Sequence, residues 1–393
     1  MAAERLRRLL VLCLLALCAL GPATAAEPRI GVMTMHPGAV FWERFGHNAI
    51  VVDDGRQPLS YNFGFFDMAE PGFTGNFIRG RMDYLMLALP LEQDLAYYRQ
   101  AGRGVDIQWL ALSPAQNRRL RARLEFLARP ENARYRYDYF RNNCATRVRD
   151  VLDEALDGQL QRQLSASSLG DSYRSESVRL AWPAKWMALG FDLGMNAEGD
   201  KALNRWDEAF IPMRLQDSLR GLRLADGRPL VREEQTVLPS RLPPPPAELP
   251  QWPLTAAAVG LALAGLLYAA RRRSQALFNA GILAFWLASG LIGSVLLAVW
   301  LGTEHRYLHA NANLLLFPPL AWLAAALHPL RRRSPRLRAA YLLTVKAIAA
   351  LAVAAVLLKF VQSGGQSNLN WILMALPAHW LITRQVLADN RTR

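Results

Sequence analysis

The chain has 393 residues, 52% of them hydrophobic, and a formal net charge of +14; a chain of that length is expected to form two or three domains. Residues 27–253 carry 29 basic and 29 acidic side chains, so the excess lies almost entirely in 254–393, among apolar segments. A nucleic-acid partner would call for a basic face on a folded domain; this distribution excludes one and reads as a membrane-topology signal.

At the N-terminus, "MAAERLRRLLVLCLLALCALGPATAAEP" places Arg5, Arg7 and Arg8 before a short apolar run, and Ala23-Thr24-Ala25 supplies small residues for cleavage. This pattern predicts a signal peptide over 1–26, with an uncleaved anchor helix as the alternative. Leu12 and Leu17 precede Cys13 and Cys18, which excludes a lipoprotein signal. If cleavage removes both cysteines, Cys144 is alone in the mature chain, with no intramolecular disulfide and no cysteine-rich metal site open to it.

Residues 27–237 mix strand and helix signals. In "FGHNAIVVDDGRQPLSYNFGFFD" two strands flank a tight turn around Asp54-Gly55. Facing Asp53 with Arg56 puts His47 directly opposite Asn62, whose amide oxygen can fix the tautomer of a neutral imidazole. His36 reads as a loop residue. The "FWERF" aromatics read as core packing, with a mouth for lipid as the alternative.

In "YFRNNCATRVRDVL", Asn142 or Asn143 is a good N-cap, and the helix that follows turns Val148, Val151, Leu152 and Ala155 inward. Cys144 then occupies the first turn, where the helix dipole and the free N–H groups favour a thiolate, and Arg147 adds positive potential. The same N–H groups suit an oxyanion, which makes Asn142, Asn143 and Arg147 candidates for substrate or oxyanion contact. A histidine strand beside a cysteine at a helix start is a layout of thiol catalysis. A lone helical cysteine is also an ordinary small hydrophobe, and the residues alone leave both readings open.

The proline-rich segment 238–253, "LPSRLPPPPAELPQWP", predicts an extended, stiff linker. Beyond it, apolar stretches at 254–270, 276–301, 312–328, 341–361 and 370–386 predict about five transmembrane helices in a domain over 254–393. With five spans, the arginine clusters at 271–273, 331–338 and 384–393 share one side. The positive-inside rule makes that side cytoplasmic, together with the C-terminus, and places 27–253 outside. His305, His309, Asn311 and Asn313 cluster where the third stretch begins. They are either ordinary interfacial groups or contacts for a head group that complete the site from below.

The segments "FGHNAIVV", "YNFGFFDM", "GRMDYLM", "YDYFRNNCATRVRDVL" and "GFDLGMNAEGD" with "DEAFIPMRL" resemble, in that order, the bacterial Lnb-type N-terminal periplasmic domain. "HANANLLLFPPL" is similar to the transmembrane region that accompanies it, although Phe317 stands where an asparagine is common. The resemblance implies an α+β, circularly permuted papain-like fold of the lecithin–retinol acyltransferase type, followed by the all-α membrane bundle. It further implies Cys144 as nucleophile, His47 as its base and N-acylation of bacterial lipoproteins in the inner membrane. Asn62, as the third polar group, rests on the hairpin pairing. The expected chemistry is acyl transfer from a phospholipid, through a cysteine thioester, to a lipoprotein amine, with no metal or organic cofactor. The alternatives are an NlpC-like thiol peptidase or amidase acting on cell-wall peptides and a non-catalytic membrane scaffold.

Overall fold

The computed structural model describes residues 28–361 and 365–391; the expected signal segment, with Cys13 and Cys18, lies outside the described residues. Seven antiparallel strands build the N-terminal domain: β1 (Arg29–Met35), β2 (His47–Asp53), β3 (Leu59–Phe65), β4 (Asp83–Pro90), β5 (Val105–Leu110), β6 (Arg134–Arg136) and β7 (Val231–Leu238). They lie in the order β6–β4–β3–β2–β1–β5–β7. The central strands are buried on both faces, as their near-continuous apolar runs require. Ile30, Val32, Ile50, Val52, Tyr61 and Phe63 pack under the helix Cys144–Ala155. On the alternate positions, Met33, Met35, Ala49 and Val51 pack with Leu95 and Tyr98 of the helix Leu91–Ala101.

The β2–β3 register corrects the expected pairing: Asn62 faces Ala49, not His47, and Leu59 faces Val52. The turn is longer than expected because the Asp53 and Asp54 carboxylates accept from the N–H groups of Gly55 (3.0 Å) and Arg56 (3.2 Å). Pro58 has no N–H to give to a ladder. The slip is two residues, so face parity survives, and His47 and Asn62 remain on one face as diagonal neighbours.

The chain from 239 to 252 is irregular, and the C-terminal region then forms helices Pro253–Arg273, Gln275–Gly302, Ala321–Leu330, Pro335–Val361 and Leu369–Arg391. Three of them, Pro253–Arg273, Gln275–Gly302 and Pro335–Val361, are long and apolar enough to cross a membrane by length and composition. The stretch 312–328 is not one continuous helix. A 3-10 turn at Ala312–Leu315 precedes Pro318-Pro319, and only Ala321–Leu330 is α-helical, since proline removes the N–H and restricts the residue before it. Leu369–Arg391 carries Pro377 within it. Small residues allow close approach of the helices: any Cβ at Gly260 would collide with the Leu373 carbonyl, and any at Gly293 with that of Phe317.

The loop after Gln275–Gly302 and the 3-10 turn bind the two regions together. The amides of Asn311 (2.9 Å) and Asn313 (2.8 Å) donate to the Leu193 carbonyl, and Asn311 also donates to Gly194 (2.7 Å), at the C-terminus of the helix Lys185–Gly194. Asn196 donates to the carbonyls of Arg306 and His309, and Glu304 accepts from Arg81 (2.7 Å) and Arg136 (2.6 Å).

Candidate active site

Cys144 opens the helix Cys144–Ala155, and the reason is local. Asn143 is the N-cap: its side-chain oxygen accepts from Thr146 N (2.9 Å), while Thr146 Oγ1 accepts from Asn143 N (2.8 Å). This reciprocal capping box fixes the first turn. The four inward residues expected from the sequence, Val148, Val151, Leu152 and Ala155, are all buried. The thiol is free and the residue is 8% exposed.

His47 begins β2 and is hydrogen-bonded to the Cys144 thiol. Pairing with β3 ends at Ala49–Asn62, so the Asn48 N–H lies beyond the last pair on that side. It reaches the sulfur, as does the Ala145 N–H. His47 Nε2 lies 3.0 Å from Asn62 Oδ1. Behind it, Asn62 Nδ2 donates to Asp94 Oδ2 at 2.8 Å, and the same carboxylate oxygen accepts from Ser60 Oγ at 2.7 Å.

These contacts fix the protons. An ionised carboxylate only accepts, so it must face the NH₂ of Asn62. The amide oxygen is left for His47, and it too only accepts, so Nε2 carries the proton. Nδ1 is then the nitrogen available to the thiol.

The electrostatics run the same way. Burial alone would push the thiol up, but the His47 charge, its hydrogen bond and the Asn48 and Ala145 N–H groups hold it below the usual thiol range. For His47, burial lowers the affinity for a proton, and Cys144 and Asp94 outweigh it against an opposing Arg103, leaving the imidazole above its ordinary value. Both shifts favour the thiolate–imidazolium form of the pair. Arg103 is itself held by the buried Glu43 at 3.5 Å and by its bond from Nε to the His36 carbonyl (2.8 Å).

Tyrosines also feel the charge of the thiol. Tyr137, half-buried, has its phenol raised by burial first and then by the Cys144 charge. Its ring is 4.6 Å from that of Tyr84, which lies 5.0 Å from Phe66. The buried Tyr135 hydroxyl has no hydrogen-bond partner among the described residues, nor has Arg147 Nε; the Arg147 guanidinium lies over the Tyr135 ring at 4.8 Å.

The structure thus brings Cys144, His47 and Asn62 together. Asn142 donates to the Arg136 carbonyl (2.6 Å), and the Asn143 NH₂ to the carbonyls of Tyr139 (2.8 Å) and Phe210 (2.9 Å), so both side chains are committed to backbone. His305 Nε2 is 3.2 Å from the Phe77 carbonyl and its ring stacks on Tyr139; His309 Nε2 is 2.9 Å from the Thr303 carbonyl. Asn311 and Asn313 are buried in the contact between the two regions, where Gln366 and Asn368 donate to their side-chain oxygens. Asp94, Ser60 and Tyr135 are absent from the sequence reading. Asp94 sits in "LEQDLAYY", where nothing local distinguishes it from a solvated helix carboxylate.

Residues 23–180 match the family model described as the Lnb N-terminal periplasmic domain, and residues 248–388 match the one described as the Lnb transmembrane domain. With both domains present in this order over most of its length, the chain belongs to the Lnb-type family of membrane proteins with a periplasmic domain. No match was found among curated proteins or among solved structures.

Proposed function

We propose that this protein is a cysteine-dependent acyltransferase of a bacterial inner membrane. It takes an acyl chain from a phospholipid onto Cys144 and passes it to an amine, the N-terminus of a lipoprotein. The observation that carries this reading is the chain of contacts Cys144–His47–Asn62–Asp94, which supplies a thiolate, a proton carrier of defined tautomer and a buried carboxylate behind them. The order of strand histidine, then cysteine helix, supports a permuted papain-like fold. Three helices of membrane-crossing length, with Ala321–Leu330 and Leu369–Arg391 beside them, support a helical membrane bundle, which we read as five spans with the C-terminus in the cytoplasm.

In the first step the thiolate attacks the ester carbonyl. The Cys144 N–H at the head of its helix and the unpaired Tyr135 hydroxyl stabilise the oxyanion. Collapse breaks the bond to the glycerol oxygen, which takes its proton from the His47 imidazolium, and a thioester and a lyso-lipid result. In the second step the amine attacks the thioester carbonyl, neutral His47 takes the amine proton, and the amide leaves as the thiolate returns. Dividing the transfer keeps the acyl group activated while one lipid product departs and the acceptor enters. The bundle keeps the site at the bilayer, raising the effective concentration of donor.

Mass spectrometry of lipoprotein N-termini, from cells lacking this protein and complemented with either the wild-type or the Cys144→Ser chain, tests the reading. N-acylated termini are expected only with the wild type. Equal N-acylation with both chains overturns the proposal.

A further inference from the structure

Six large apolar side chains of the N-terminal domain are between 41% and 69% exposed: Phe41, Trp42, Phe65, Met68, Ile78 and Trp186. They come from four segments that converge. Phe41 stacks on Trp186 (6.1 Å), and Trp42 meets Phe66 edge-on (6.3 Å), beside Phe65. Phe66 in turn stacks on Phe73 of the helix that carries Ile78 (5.6 Å). That helix, Phe73–Arg79, buries none of its residues although three of its seven are Phe or Ile. Among soluble surfaces a contiguous apolar patch of this kind marks an interaction site.

Its place in the fold names the occupant. The Arg79 carbonyl accepts from Glu304 N (2.8 Å) and the Phe77 carbonyl lies 3.2 Å from His305 Nε2. Both partners follow directly on the apolar helix that ends at Gly302. Trp186 lies on the helix whose last carbonyls hold Asn311 and Asn313. Both patch-bearing helices are thus bonded to one end of the membrane bundle. Aromatic and aliphatic side chains flanked by cations, here Arg79 and the exposed Lys185, suit the depth of lipid head groups.

We infer that this rim is a lipid-contacting surface, inserted into the outer leaflet beside the bundle. Ring contacts lead inward from it, from Trp42 to Phe66, Tyr84 and Tyr137, whose phenol feels the Cys144 charge. A phospholipid chain can therefore approach Cys144 along aromatic surface. Lipid contact is independent of the chemistry at Cys144; the route for a chain rests on the acyl-transfer reading.

The test uses the full-length chain in vesicles of phosphatidylethanolamine and phosphatidylglycerol. Met68→Cys, Ile78→Cys, Trp186→Cys and, for reference, the exposed Asp226→Cys are each introduced with Cys13→Ser, Cys18→Ser and Cys144→Ser, then spin-labelled. Labels at the three rim positions are expected to collide with oxygen and to be shielded from a water-soluble nickel chelate, while the label at 226 is open to nickel. Rim labels as open to nickel as that at 226 overturn the inference, including by showing a surface left for a protein partner. In an otherwise native chain, Met68→Asp combined with Ile78→Asp is expected to lower acyl loading of Cys144 from vesicle phospholipid by about tenfold or more, since charge at that depth is costly. Iodoacetamide alkylation of Cys144 should stay unchanged. Undiminished loading overturns the route. If the wild-type chain never loads, the acyl-transfer reading fails, and the spin labels still decide the lipid contact.

Discussion

Asn62 donates its amide to Asp94 at 2.8 Å, and that bond determines which proton His47 carries. With the carboxylate claiming the NH₂, the amide oxygen can only accept from His47 Nε2, and Nδ1 is turned to the thiol. Asp94→Asn removes the constraint, because an amide on each side lets Asn62 turn over. The expected outcome is a fall in kcat of roughly tenfold to a hundredfold, the scale of losing a hydrogen bond to a charged group, with KM for the donor little changed. Steady-state kinetics of acyl transfer check this; an effect confined to KM would assign Asp94 to substrate binding.

The pH dependence follows from the two shifted groups. Cys144 is held below the ordinary thiol value, so its thiolate persists as pH falls past the range where a free thiol is protonated. His47 is raised, so its imidazolium survives above the ordinary imidazole range and is lost as pH rises through the raised value. Acyl transfer should therefore rise with Cys144 ionisation and fall with His47 deprotonation. Alkylation of Cys144 with iodoacetamide should show its acid limb below that of a free cysteine, and His47→Gln should move that limb upward. An unmoved limb contradicts the ion pair.

Tyr135→Phe removes a buried hydroxyl that has no partner among the described residues. If that group receives the oxyanion, acyl loading slows by about a hundredfold, the scale for one such donor, while thermal stability is unchanged or rises. Single-turnover loading alongside calorimetry separates this from a packing role.

Asn313→Ala leaves the Asn368 amide without its acceptor and removes one of two donors to the Leu193 carbonyl, which Asn311 still holds. A loss of roughly 1–3 kcal/mol is expected for the buried amide left unpaired, read as a lower unfolding temperature. Cys144 alkylation should keep its pH profile. A wild-type unfolding temperature combined with weaker donor binding would favour a head-group role for Asn313.

Much of the site was legible because its signals are local. The cap at Asn143, the 3.6-residue pattern of Val148, Val151, Leu152 and Ala155, and the thiol in the first turn all lie within thirteen residues, Asn143 to Ala155. The His47–Asn62 contact survived a wrong register because strand faces repeat every two residues. What escaped was set by distant packing. Asp94 reaches Asn62 from a helix 32 residues further on. The head-group candidates Asn311 and Asn313 find carbonyls nearly 120 residues upstream, with separations of 118 and 120. Of the "FWERF" aromatics, read as core with a lipid mouth as the alternative, Phe45 packs inward while Phe41 and Trp42 are exposed, since nothing local tells a core ring from a surface one.

The most direct measurement is acyl label on Cys144 itself. The full-length chain in vesicles with an alkyne-tagged phospholipid, and without acceptor, should accumulate label on the peptide containing Cys144. Neutral hydroxylamine should release that label, an added lipoprotein amine should discharge it, and Cys144→Ser should not acquire it. A wild-type chain that N-acylates the acceptor while Cys144 stays unlabelled, or carries label that hydroxylamine cannot remove, would contradict the thioester on which the account depends.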